Sequence, residues 1–243
     1  MNTHFSIKTG FVHLWRALLT DFNPKQGDLL SLLSPDEIHR AERLRLPLHK
    51  QRFITARGLL RKTLSLYLQI PAESITFTYG AHGKPSLLKT ALQFNVSHSD
   101  DMVVYGITLE NSIGIDIEKV TDDFKMAVAE RFFNEQEFLQ LMALPEEQRT
   151  RAFYRMWSHK EAIIKVLGLG LYAPLKDYAV SAQKQTETVS FSFENQTYHY
   201  LVQSFTAHPD YESAFAIQAP IDNILYWEWT PDLQTKQIPL PSR

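Results

Sequence analysis

Apolar and polar positions change period several times along the chain, and each change marks an element. Residues 34–37, Ser-Pro-Asp-Glu, read as a helix start, with Ser34 at the N-cap, Pro35 at the first helical position and Glu37 placed to close a capping box. Pro47 stops that helix. A longer one is predicted over about 48–68, with Phe53, Ala56, Leu60, Leu64 and Tyr67 at helical spacing. After Pro71 the period shortens: 75–79 alternates as a strand, 80–85 is a turn carrying Lys84, 94–99 is a short strand ending in a polar loop, and 102–108 is a stronger strand. Residues 113–118, Ile-Gly-Ile-Asp-Ile-Glu, alternate strictly, so the isoleucines take one face and Gly114, Asp116 and Glu118 the other. Gly114 leaves room there for a ligand or another backbone to come close.

Helices follow at about 123–133 and 135–142, with Asn134 as the cap between them, and then a long one at about 147–167 that Gly168 and Gly170 end and Pro174 stops. The remainder is strand-like at 178–182, 188–194, 198–205 and 213–217, and more weakly at 225–229. The last ten or so residues, with Pro239 and Pro241, read as a loose tail. Each half thus sets one long helix among several strands. This is the α+β class, with a division expected near Ser112, into residues 1–112 and 113–243.

Composition narrows the chemistry. The chain of 243 residues contains no cysteine, which excludes disulfides and thiolate metal sites and leaves a hard cation held by oxygen, magnesium fitting best. The N-terminus shows no basic region followed by an apolar core, and no apolar run is long enough to cross a bilayer, so a soluble cytoplasmic protein with no membrane partner is expected. A net charge of −2 gives no global reason to expect nucleic acid. Positive charge is local instead, on the long first helix with Arg52, Arg57, Arg61 and Lys62. Arg57 lies beside the apolar stripe, where its stem can follow the core and its fork can reach a pocket rim.

Asp116 and Glu118 share one strand face, while Trp157, Glu161 and Lys165 share a helix stripe at four-residue spacing. Taken singly, such carboxylates form a solvated face, and a Glu161–Lys165 pair is worth only about 0.3–0.5 kcal/mol. Two like charges at alternate strand positions destabilise each other, however, unless a cation lies between them. Together these groups point to a magnesium site for a phosphate substrate. Ser97 and His98 offer donors that could reach phosphate oxygens.

The motifs Gly-Lys-Pro at 83–85, Phe-Asn-Val-Ser-His-Ser at 94–99, Ile-Gly-Ile-Asp-Ile-Glu at 113–118 and Trp-Ser-His-Lys-Glu-Ala-Ile-Ile-Lys at 157–165 occur in an order and spacing that resembles the 4′-phosphopantetheinyl transferases of the Sfp type. The resemblance implies transfer of the phosphopantetheine arm of coenzyme A to a serine of an apo acyl or peptidyl carrier protein, with release of adenosine 3′,5′-bisphosphate. It implies a pseudo-twofold pair of similar α+β halves with coenzyme A in the cleft between them, and a monomer. By motif position, Asp116, Glu118 and Glu161 resemble the magnesium ligands. Lys84, Ser97, His98 and Arg57 resemble coenzyme A contacts, His98 near the 3′-phosphate, and Lys160 and Lys165 resemble the lysines beside the reacting pyrophosphate. Glu161 is then the candidate base, directly or through a metal-bound water, with Lys165 and Lys160 assisting the leaving group. Where some members place lysines against the 3′-phosphate, this chain has Glu37 and, nearby, Arg40. Two alternatives stand beside this reading: another magnesium-dependent phosphoryl or nucleotidyl transferase, and a non-catalytic coenzyme A or carrier-binding protein. Phe124 and Met126, near the loop that leaves Glu118, are the expected docking patch for a carrier helix, whereas Phe132 and Phe133 are expected in the core.

Overall fold

The structure is a computed structural model that describes residues 5–122, 126–218 and 220–239. In chain order its elements are β1 (Phe11–Leu18), α1 (Gln26–Leu30), α2 (Pro35–Glu42), α3 (Pro47–Leu68), β2 (Phe77–Tyr79), β3 (Pro85–Leu87), β4 (Leu92–Ser99), β5 (Met102–Leu109), β6 (Ile113–Lys119), α4 (Met126–Phe132), α5 (Glu135–Met142), α6 (Glu146–Leu167), β7 (Thr186–Phe193), β8 (Gln196–Phe205), β9 (Tyr211–Ile217), β10 (Asn223–Trp229) and β11 (Thr235–Ile238). Three strong local signals set their boundaries. Glu37 accepts from the Ser34 amide at 3.0 Å at the start of α2, Asn134 and Glu137 close a capping box on α5 at 2.9 and 2.8 Å, and Gly168 ends α6 in the left-handed region at φ 74°.

Four layers stack in the order α3, first sheet, second sheet, α6. The first sheet runs β11-β10-β1-β5-β4 and the second β6-β9-β8-β7. On β1 and β5, Trp15, Ala17, Val103, Tyr105 and Ile107 pack against α3, while Val12, Leu14, Met102 and Val104 face the second sheet. The isoleucines of β6 fill the space between the sheets, as the alternation predicts, and its other face lies under α6. A Cβ on Gly114 would fall on Val166 N of that helix, at 2.5 Å, so it is a helix backbone that makes the close approach.

Three local expectations are corrected. Residues 178–182 have alternating burial but form no strand. Their backbone is held by side chains instead: Val180 N donates to Glu137 at 2.9 Å, Ser181 N to Glu187 at 2.9 Å, and Asn134 Nδ2 to Tyr178 O at 3.1 Å. The expected tail contains β11, antiparallel to β10, and β10 itself runs parallel to β1, so the chain returns to the first sheet after passing through the second. Residues 97–99 belong to β4 and not to a loop, each paired with β5. Residues 123–125, including Phe124 of the expected docking patch, lie outside the described residues. Met126 is partly exposed at the start of α4, and Phe133 is buried. Among the described residues no helix is long and apolar enough to cross a membrane.

Candidate active site

β4 and β6 are the edge strands of their sheets and lie side by side, joined by side chains. Asn95 Oδ1 accepts from Ile115 N at 2.9 Å and Ser99 Oγ accepts from Lys119 N at 3.1 Å. Over this seam passes the C-terminal half of α6, which carries Glu161 and Lys165.

Asp116 is the centre of the group. It is 3% exposed, and its Oδ1 accepts from Ser97 Oγ at 2.9 Å and from Lys165 Nζ at 2.6 Å, while its Oδ2 is buried with no hydrogen-bond partner. Lys165 also donates to Ser97 Oγ at 2.6 Å. Burial, then the charge of Asp116, pushes the Glu161 carboxyl up to about 7; the same two causes in the same order raise Glu118 to about 7, with Glu161 adding to the push. Ser99 Oγ donates to Glu118 at 3.4 Å. The crowding of negative charge foreseen from the spacing is therefore present. Among the described residues no three carboxylate or imidazole side chains converge into a ready-made metal site.

Two cavities open beside the acids. One, of about 260 Å³, is lined by His82, Lys84, Asn95, Glu161, Lys165 and Gly170; the other, of about 450 Å³, by Ser99, Glu118, Val128, Phe153, Tyr154 and Trp157. Lys84 borders the first, but its ammonium is engaged. It donates to Lys165 O at 2.6 Å at the end of α6, and burial lowers it to about 8. His98 points to the opposite side of β4 from Ser97, and its ring keeps only part of its surface in solvent. Desolvation of that ring, then the positive charge of Lys165, Arg52, Arg40 and His49, keeps its imidazole below its ordinary range. The basic side chains that surround it would favour an anion there.

Arg57 and Lys160 lie outside the acid cluster. Arg57 is buried on α3 between Phe53 and Phe77, 3.5 Å from Glu37, with its Nη1 unpartnered. Lys160 is fully buried on a different side of α6 from Glu161. Its ammonium meets Glu137 at 2.9 Å, Leu175 O at 2.5 Å and Tyr178 O at 3.2 Å, over the Tyr178 ring. The expectation placed it beside the reacting phosphates; its ammonium faces Glu137 instead of the acid cluster, since adjacent residues on a helix point about 100° apart. Sequence reading also passed over Asn95 and Ser99, although polar side chains at 95, 97 and 99 repeat with the strand period and could have revealed them.

Residues 112–217 match the model of the 4′-phosphopantetheinyl transferase superfamily, and residues 15–109 match that of the 4′-phosphopantetheinyl transferase N-terminal region. Among similar proteins, 4′-phosphopantetheinyl transferase HetI of Nostoc sp. (strain PCC 7120) is 39% identical over 166 residues, 66% of this chain and 70% of the relative. 4′-Phosphopantetheinyl transferase Sfp of Bacillus subtilis (strain 168) is 30% identical over 193 residues, 79% of this chain and 84% of the relative. 4′-Phosphopantetheinyl transferase gsp of Aneurinibacillus migulanus is 36% identical over 133 residues, 55% of this chain and 54% of the relative.

Proposed function

Because the chain belongs to the 4′-phosphopantetheinyl transferase superfamily, we propose that it moves the phosphopantetheine arm of coenzyme A to a serine of an apo acyl or peptidyl carrier protein, acting as a monomer in the cytoplasm. The observation that carries this reading is the buried Asp116, with one unpartnered oxygen, set among Glu118, Glu161 and Lys165, with one cavity bordered by Glu161 and Lys165 and a second bordered by Glu118.

In the reaction the serine oxygen bonds to the phosphorus that bears pantetheine, the pyrophosphate P–O bond breaks, adenosine 3′,5′-bisphosphate leaves, and the serine proton needs an acceptor. Glu161, whose carboxyl burial and Asp116 push up to about 7 when no cation lies beside it, would take that proton directly or through a water. The Lys165 ammonium, 2.6 Å from Asp116 on a side chain that lines the smaller cavity, would stabilise charge on the departing bisphosphate. Ser97 fixes both of these groups. His98 and the basic side chains around it hold the 3′-phosphate, and the larger cavity, with Trp157 and Phe153 on its wall, receives the carrier serine.

The donors fit magnesium, since all are hard oxygens, Asp116 Oδ2 is buried and unpartnered, and the carboxylates repel one another. Asp116, Glu118 and Glu161 are the residues that would hold the ion, which when bound supplies charge neutralisation at the pyrophosphate oxygens.

The test is intact-mass measurement on several apo carriers incubated with this protein, coenzyme A and magnesium. Addition of one phosphopantetheine arm, with adenosine 3′,5′-bisphosphate formed only when carrier is present, is the expected result, and Asp116→Ala should abolish it while remaining folded. Unchanged carriers would refute the reading; so would an Asp116→Ala variant with normal turnover.

A further inference from the structure

We propose that Asp100 is a positioning residue for this site, tying the turn between β4 and β5 to α3 on one side and to β6 on the other, so that Ser99 is held against Glu118 and His98, on the other face of β4, is held beside Arg52. The inference rests on the functional reading above.

Ser99 and Met102 are direct partners in the β4–β5 ladder, so Asp100 and Asp101 alone make the turn. Asp100 has φ 49°, in the left-handed region, where a side chain is strained and glycine is the relaxed choice for a two-residue hairpin. The chain places a carboxylate there, and both of its oxygens are used. Oδ1 accepts from Arg52 Nη2 at 2.6 Å, and Oδ2 accepts from Lys119 Nζ at 2.5 Å. Arg52 reaches up from α3 and donates through Nε to Asp101 at 2.8 Å, so one guanidinium grips the whole turn.

The other tie closes on the acids. Lys119 follows Glu118 on β6, and its backbone N–H donates to Ser99 Oγ, which in turn donates to Glu118. Ser99, Asp100 and Lys119 therefore form a ring of contacts from which the Glu118 carboxylate is held. α3 and the turn belong to the first sheet's layers and β6 to the second, so Asp100 bridges the seam where the acids lie. The charge of Arg52 also reaches the ring of His98, two residues before Asp100. Ser99, Asp100, Glu118 and Lys119 together form the polar wall of the larger cavity. A turn free to shift would misplace a phosphate contact and an acid at the same time.

Glycine at this position separates positioning from stability. Asp100→Gly removes two partly exposed ion pairs but relaxes the left-handed backbone, two opposing effects on the fold. We expect its thermal midpoint to stay within about 2 °C of wild type. Its dissociation constant for coenzyme A, measured by calorimetry without carrier, should rise about three- to tenfold, and kcat for carrier modification should fall about tenfold, as loose alignment at a reacting centre demands. Asp100→Asn tolerates the same backbone and can still accept from Arg52, so its values should fall between the two. Wild-type binding and transfer with an Asp100→Gly variant equal to it in both constants would overturn the proposal alone, as would a loss that scales only with the unfolded fraction. A wild-type protein that neither binds coenzyme A nor modifies carriers would overturn the functional reading and the proposal with it.

Discussion

Lys160→Met is expected to damage the fold and spare the chemistry. The Lys160 ammonium and the Glu137 carboxylate are both fully buried and meet at 2.9 Å, and the methionine chain can follow the lysine stem while leaving the carboxylate without its counter-ion. Breaking one side of such a pair costs about 3–5 kcal/mol. For a chain of this size each kcal/mol moves the midpoint by about 2–4 °C, so a fall of about 6–20 °C is expected. Glu137 keeps its bonds from Asn134 N and Val180 N, and burial already holds its carboxyl above the ordinary range. Without the ammonium that rise grows. A carboxyl whose pKa is raised by folding contributes stability below its unfolded pKa and loses it as pH climbs through the folded value, so the deficit should be smallest near pH 4.5–5 and widen toward neutrality. Thermal unfolding of wild type, Lys160→Met and Lys160→Met/Glu137→Gln at pH 5 and 7.5 measures this, the double variant recovering much of the loss because no buried charge remains. Transfer at low temperature, normalised to folded protein, should stay near wild type. A variant with a wild-type midpoint and a kcat lowered more than tenfold would refute the argument and return Lys160 to the phosphates.

Gly114→Ala should push α6 away from β6 at Val166, costing about 1–3 kcal/mol of stability by overpacking, and should reduce transfer beyond that loss because Glu161 and Lys165 ride on the displaced helix; full activity in a crystallographically unshifted variant would contradict it. His98→Ala should weaken coenzyme A binding about tenfold or more and should weaken dephospho-coenzyme A far less, since that ligand lacks the 3′-phosphate; equal losses with both would place His98 in another role. His13 is buried, shares a hydrogen bond between its Nδ1 and the Tyr67 hydroxyl and is lowered from 6.5 to about 4 by burial, so the unfolded chain binds the extra proton and stability should fall by up to about 3 kcal/mol as pH drops from 6.5 through 4. His13→Gln should flatten that part of the stability curve, and an unchanged curve would exclude His13 as its source.

Where one surface decided a segment's fate, its sequence was readable. α3 and α6 carry helical stripes with clear stops, and β6 keeps its isoleucines on one side, so their extents and the grouping of Asp116, Glu118, Glu161 and Lys165 could be foreseen. β1 escaped because both of its faces are covered: Val12 and Leu14 meet the second sheet, Trp15 and Ala17 meet α3, and the run shows no alternation. Residues 178–182 misled for the converse reason, having the alternation of a strand while their polar backbone goes to Glu137, Asn134 and Glu187. Lys160 belongs to the same motif as Glu161 and Lys165 but not to their helix face. The stripe of 157, 161 and 165 already excluded position 160, although its partner Glu137 could not be read from spacing within α6.

The same reasoning explains why the acids sit where they do. Two sheet edges that meet would ordinarily pair through backbone ladders and leave no room for a ligand. Here Asn95 and Ser99 on β4 take the amides of Ile115 and Lys119 on β6 with side-chain oxygens, a longer reach that holds the strands together without a continuous ladder. The serine between them is released from that duty. Ser97 instead gives its hydroxyl to Asp116 and receives Lys165, so the central member of a period-two polar run belongs to the chemistry while its neighbours on either side secure the seam. A strand that alternates Asn, Ser and Ser opposite Ile-Asp-Ile-Glu-Lys therefore builds the joint and the site in one pattern. The acids are bound to that joint: replacing Asn95 or Ser99 loosens the two edges directly beneath them, whereas replacing Ser97 leaves the edges joined and frees Asp116 and Lys165.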